Sequence, residues 1–342
     1  MRAFGITYDT GFVNGGHTTR EHFAPELVRR EMRVIRDELH CTAVRVTGGD
    51  PDRLELAARS AWDAGLRPWI SPFTCGLSRE ELLRLLIDCA ERAERLRRRG
   101  AEVVFLTGSE VSLFNPGFLP GDTLDERLAL LADPGRLRQE LPRLPDRVNA
   151  FLGEAVAEVR ERFHGTIGYA SLPFEGVDWA PFDVVATDGG YRSAEVADRF
   201  RDGIRALVAQ GRALGKPVAV TEFGCTTHRG AADLGARGES IVEWERTGLP
   251  ARLTGEYVRD EQEQAAYLLE LMDLFTAEGV DCVFANTFAR YDLPHRSSPD
   301  EDFDMASFGI VKVLEGDTDS TMPWEPKAAF TALATAYRDR PA

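Results

Sequence analysis

Short apolar runs alternate with helix-period segments eight times along this chain, and that alternation limits what it can fold into. The runs are Ala3–Tyr8, Thr42–Val46, Arg67–Ser71, Val103–Thr107, Thr166–Ala170, Asp183–Thr187, Pro217–Thr221 and Asp281–Phe288. Between most of them lie segments with apolar residues at helical spacing, such as Leu27, Val28, Met32, Ile35 and Leu39, or Leu268, Leu269, Met272 and Phe275. Start and stop signals frame these segments. Asp50 precedes Pro51 as cap and first-turn proline, Ser78 with Glu81 forms a capping box, Asp146 is placed to cap the helix that follows, and Gly65 and Gly100 end two helices. Eight strand–helix pairs without surplus predict a closed (β/α)8 barrel of one domain spanning residues 1–342. The rival, an open doubly wound sheet, calls for a glycine-rich phosphate turn after the first strand. That turn reads Asp9-Thr10-Gly11-Phe12, not GxGxxG.

Composition narrows the function. The chain carries a net charge of -15, the wrong sign for a nucleic-acid partner. No run of about 18 apolar residues is available to span a membrane, and the N-terminal stretch reads as a first strand, not a secretion signal. Five scattered cysteines (Cys41, Cys75, Cys89, Cys225, Cys282) contain no CxxC and fit reduced thiols in a cytoplasm. His17, His228 and His295 fall on loops at spacings that match no metal-ligand motif, so neither metal nor cofactor is expected.

Chemistry gathers where the strands end. In a parallel barrel, sites form at the C-terminal edge of the strands. Strand four runs into Thr107-Gly108-Ser109-Glu110 and strand seven into Thr221-Glu222-Phe223-Gly224. Each thus delivers a glutamate to the mouth, on opposite sides of the barrel. Two facing carboxylates are what glycoside cleavage uses: one protonated, to donate to the leaving oxygen, the other ionised, to attack the anomeric carbon or activate water. The same edge collects Asp9 from strand one, Arg45 from strand two, Ser109 beside Glu110, Asp188 and Tyr191 after strand six, and Asn286 and Phe288 from strand eight. Arg45 is placed to keep Glu222 ionised and Tyr191 to hold it. Each of these also has a plain structural reading: rim ion pair for Arg45, packing for Tyr191, loop cap for Asp188. Long loops after strands four, seven and eight are expected to be lids or subsite walls.

On these residues the chain resembles the clan A retaining glycoside hydrolases, the cellulase- and β-galactosidase-like (β/α)8 enzymes. The resemblance implies that Glu110 is the acid/base and Glu222 the nucleophile, with Arg45 and Tyr191 at positions the clan often fills with the same residue types. Ser109 stands where the clan usually has Asn. Asn286 or Phe288 stands where it usually has a Trp platform. The implied partner is a small-molecule substrate, a sugar or a glycosylated metabolite, cleaved with retention inside the cell. Proton-transfer chemistry on the same scaffold (cyclisation, elimination or isomerisation) and a non-catalytic carbohydrate-binding barrel are the alternatives.

Overall fold

The computed structural model describes residues 2–245, 248–315 and 323–340. Eight parallel strands form its centre: β1 (Ala3–Asp9), β2 (Ala43–Gly48), β3 (Arg67–Pro72), β4 (Val104–Ser109), β5 (Thr166–Ala170), β6 (Val185–Thr187), β7 (Val218–Phe223) and β8 (Cys282–Ala285). Their order in the sheet is β5-β4-β3-β2-β1-β8-β7-β6. The two ends of that order meet. Ser171 and Thr187 form a parallel bridge, the Asp188 amide donates to the Ser171 carbonyl at 2.9 Å, and the Asp183 amide donates to the Ile167 carbonyl at 2.8 Å. The expected barrel is present, with this β5–β6 seam as its most thinly bonded join.

Seven long helices surround it among the described residues: α1 (Pro25–Asp37), α2 (Pro51–Asp63), α3 (Arg79–Arg98), α4 (Leu144–Arg162), α5 (Ala197–Leu214), α6 (Glu261–Glu278) and α7 (Ala328–Arg338). The Asp50 side chain accepts from the amides of Asp52 and Arg53, and the Ser78–Glu81 capping box closes in both directions. Two expectations need correction. α4 begins at Leu144, so Asp146 lies in its first turn and not at the cap, where its charge still favours the helix N-terminus. No helix joins β5 to β6, so the strand–helix pairs number seven, not the eight counted from the sequence. An irregular segment fills that place, anchored by edge-on packing of Trp179 on Phe182 at 5.5 Å.

The barrel interior is layered. Strand residues pointing inward near the floor are mostly small: Ala3, Ala43, Ala170, Ala186 and Ala219. Two large rings, Trp69 and Phe284, fill the space they leave, with centroids 4.8 Å apart. Gly5 is required there, because a Cβ would meet the Phe284 ring at 2.5 Å. This apolar plug closes the floor. One step toward the mouth, the inward positions of β2, β4 and β7 turn polar, and the site begins. The long loops after β4, β7 and β8 are present; residues 246 and 247 of the second lie outside the described residues. No described helix is long and apolar enough to cross a membrane.

Candidate active site

Arg45 sits on the apolar plug as the hub of the site. β2 alternates, so Ala43 and Arg45 both point inward, two residues apart. The Arg45 side chain has no solvent exposure. Its guanidinium grips Asp188 with both ends, Nη1 to Oδ1 at 2.7 Å and Nη2 to Oδ2 at 3.2 Å. Nη1 also donates to Glu222 Oε1 at 2.9 Å and to the Thr221 carbonyl at 3.1 Å. Nη2 donates to Ser109 Oγ at 3.0 Å, and Nε to Ser71 Oγ at 3.2 Å. Ser109 passes its own proton to Asp188 Oδ2 at 2.6 Å. Residues from β2, β3, β4, β7 and the turn after β6 are thereby locked into one network across the barrel.

Glu222 rests on this network. Arg45 holds Oε1, and the Tyr191 hydroxyl donates to Oε2 at 2.8 Å. Asn286 in turn donates to the Tyr191 oxygen at 2.6 Å. Gly190 makes this approach possible, since a Cβ there would collide with the Glu222 carbonyl. Glu110 is held differently. It begins a short helical turn, Val111–Phe114, in a left-handed conformation with φ 45°. Such a backbone is costly for a non-glycine residue and persists only where its surroundings impose it. Its carboxylate makes no hydrogen bond to any described residue. One carboxylate oxygen each of Glu110, Asp188 and Glu222 lies within 4.8 Å of the others.

Three carboxylates share one guanidinium, so full ionisation would leave two uncompensated negative charges in a buried place. Burial first, then Asp188, pushes Glu222 up to about 7, against the opposing pull of Arg45 and Tyr191. Burial first, then Asp188 and Glu222, pushes Glu110 well above the carboxylate range, with only Arg45 opposing. The proton the cluster retains therefore settles on Glu110, the carboxyl without donors. The arrangement can offer one proton and one anion to the same small space. Although the three carboxylates are close enough to bracket a cation, Arg45 already binds two of them.

The residues expected at the site separate into two groups. Glu110, Glu222, Tyr191 and Asn286 meet at the mouth, the last two half-buried. Arg45, Ser109 and Asp188 lie beneath them, fully buried, with their polar atoms committed to one another and, from Arg45, to Glu222. Asp9 belongs to neither group. Its carboxylate caps its own loop, accepting from the Gly11 amide at 2.8 Å and the Thr19 hydroxyl at 2.5 Å. Phe288 also departs from expectation. β8 ends at Ala285, and the Phe288 amide donates to the Thr7 carbonyl at 2.9 Å. The ring is fully buried, edge-on to Trp324 at 5.2 Å, and offers no face to a ligand. The three loop histidines go separate ways. His228 Nδ1 sits 3.2 Å from the Met305 carbonyl, His295 pairs with Asp302 at 2.8 Å, and His17 lies in a small hairpin. Sequence reasoning missed Ser71, the Thr221 carbonyl and the pair Tyr169–Glu175 behind Glu110. Ser71 shares the inward phase of Trp69 on β3, a signal that was available.

No family model matches the sequence, and no curated protein matches it. Solved structures do. The chain is similar to a GH113 β-1,4-mannanase with a TM-score of 0.60 and 18% identity, covering 99% of this chain and 100% of that one. It is similar to the GH113 β-mannanase AaManA from Alicyclobacillus acidocaldarius, with a TM-score of 0.57 and 16% identity over 98% and 96% of the two chains. A Parabacteroides merdae β-glucuronidase follows at a TM-score of 0.57 and 13% identity, covering all of this chain and 37% of that one. The shared architecture is the (β/α)8 barrel. At these identities the likeness is one of fold.

Proposed function

We propose that the whole chain is one catalytic unit, a retaining glycoside hydrolase acting on a small intracellular β-glycoside. The observation that carries the reading is the pair Glu110–Glu222: carboxylate oxygens within 4.8 Å in unlike surroundings. Retaining enzymes hold their carboxyl groups about 5–5.5 Å apart and inverting ones about 6.5–9.5 Å. Glu222, fixed by Arg45 and Tyr191, attacks the anomeric carbon as the bond to the leaving oxygen breaks and Glu110 protonates that oxygen. Glu110, now ionised, takes a proton from water, which attacks the same carbon and frees Glu222. The β linkage follows the fold relatives, a β-1,4-mannanase and a β-glucuronidase among them. The intracellular setting accords with five unpaired cysteines, four of them buried.

A panel of 4-nitrophenyl β-glycosides, followed by the matching 2-deoxy-2-fluoro glycosyl fluoride and peptide mass analysis, tests the reading. A sugar ester on Glu222 is expected. Turnover with inversion, or an ester on another residue, would overturn it. One observation favours a second reading. Ser109, standing where the clan keeps an Asn for the sugar 2-hydroxyl, is turned inward onto Arg45 and Asp188. If no glycoside is turned over while Glu110→Gln and Glu222→Gln still abolish the cellular activity, the pair serves proton transfer in a cyclisation, elimination or isomerisation.

A further inference from the structure

Glu175 is a fourth carboxylate in this neighbourhood, and the reaction as proposed does not use it. It lies in the irregular segment after β5 and is fully buried. No described arginine or lysine hydrogen-bonds or ion-pairs with it, which is unusual for a buried acid. Its partners are donors instead. Oε1 accepts from the Ser112 amide at 3.2 Å and Oε2 from the Leu172 amide at 2.9 Å. The Tyr169 hydroxyl straddles both oxygens, at 2.9 and 2.8 Å. That same hydroxyl oxygen accepts from the Val111 amide at 2.9 Å.

These partners set the charge that Glu175 prefers. The two amides can only donate. Tyr169 receives the Val111 proton on its oxygen and has one proton to give, toward Glu175. The two amides and the Tyr169 hydroxyl thus favour the ionised form of Glu175. Glu175 holds the Ser112 amide directly and the Val111 amide through Tyr169, and these are the two residues that follow Glu110 in its left-handed turn. The Glu110 amide donates to the Ala170 carbonyl at 2.9 Å, so the turn is tied on both sides to the end of β5.

We propose that Glu175, acting through Tyr169 and the Val111–Ser112 amides, is the positioning residue that imposes the turn presenting Glu110 and keeps a negative charge behind it. The inference rests on Glu110 being the acid/base. A charge behind the acid, in a place water does not screen, opposes loss of the acid's proton. The charged groups facing Glu110 are Asp188 after β6, Glu222 on β7, Arg45 on β2 and Glu175 itself, and of these only Arg45 favours ionisation. Burial pushes Glu175 up to about 7, so its charge grows over the pH range in which Glu110 must still hold its proton.

Carboxyl-¹³C NMR on glutamate-labelled protein reads this without needing turnover, with Glu110 assigned by its loss in Glu110→Gln. In Glu175→Gln the Glu110 midpoint should move to lower pH. With the 4-nitrophenyl β-glycoside that the panel identifies, the basic limb of the rate profile should move the same way, and kcat should fall several-fold with KM nearly unchanged. Tyr169→Phe keeps the charge but cuts the tie to Val111, so kcat should fall with the basic limb in place. A folded Glu175→Gln with unmoved midpoint and limb overturns the inference. If that variant does not fold, wild-type kcat in Tyr169→Phe overturns it. Failure of the glycosidase reading looks different: no glycoside of the panel would be turned over, or the fluoro-sugar ester would form on a residue other than Glu222.

Discussion

Two fully buried arginines, Arg20 and Arg45, show how the same side chain serves opposite ends. Arg20 lies outside the barrel wall, in the loop after β1. Its Nη2 meets Glu31 of α1 at 2.9 Å, and its guanidinium lies over the rings of Tyr8, Phe23 and Tyr291 at 4.3–5.0 Å. The hydroxyls of Tyr8 and Tyr291 and the Trp324 indole also donate to Glu31, the last at 3.0 Å. One cation meets one anion there, and the anion's remaining lone pairs are filled. Arg45 meets two carboxylates directly, with a third close by. The balanced cluster is a clasp that joins the first loop, α1, the β8 loop and the strand before α7. The unbalanced one has more carboxylates than its one cation can match, a cost in stability of the kind that functional sites commonly carry.

The sharpest test of that contrast is Glu222→Gln. It should lower kcat by at least about 10²–10⁴-fold. At pH 8 it should also raise the melting temperature, because ionising Glu222 in the folded state is disfavoured. The sign follows from its raised value. Below the unfolded carboxylate value the group is protonated in both states. Between there and about 7 the folded state binds more protons, so stability falls as pH rises. Unchanged or lower stability in this variant would mean that the cluster is balanced after all.

Glu31→Gln should do the reverse. Leaving Arg20 buried without its anion should cost about 3–5 kcal/mol of stability by denaturant unfolding, with kcat of the folded protein nearly intact. The wild-type rate profile should be bell-shaped, rising near pH 7 as Glu222 ionises and falling higher up as Glu110 loses its proton, both limbs belonging to the coupled pair. Asp188→Asn removes the nearest negative charge from Glu222, so the rising limb should move to lower pH. A limb that stays in place would assign it to another group. The smallest effect is expected at Trp244, exposed on a short strand of the β7 loop, where Trp244→Ser should change stability by less than about 0.5 kcal/mol.

The barrel and its two glutamates were legible because both are local. Strand phase, proline and glycine boundaries, and a carboxylate at the end of an apolar run can all be read within ten residues. The network beneath them was not. Arg45 and Asp188 stand 143 positions apart, and only the stagger of β2 against β6 around a closed barrel brings them face to face. Arg45 was rightly matched to Glu222, yet its tighter grip falls on Asp188. Phe288 was misplaced because the apolar run continues past the strand. Hydrophobicity marks burial, and it does not say on which side of the wall a residue is buried. Glu175 stood in a segment without periodicity, where neighbours in space leave no trace in spacing.

The thin seam between β5 and β6 carries a consequence for how this molecule could be divided. No helix spans it, so the connecting segment is the natural place to cut the chain. A cut near Asp178 would leave Arg45, Glu110, Tyr169 and Glu175 on one fragment, and Asp188, Tyr191, Glu222 and Asn286 on the other. Neither fragment would hold both carboxylates of the pair. Under the proposed reaction, turnover would then report directly on reassociation of the two halves, and the protein would behave as a split reporter whose switch is the barrel itself.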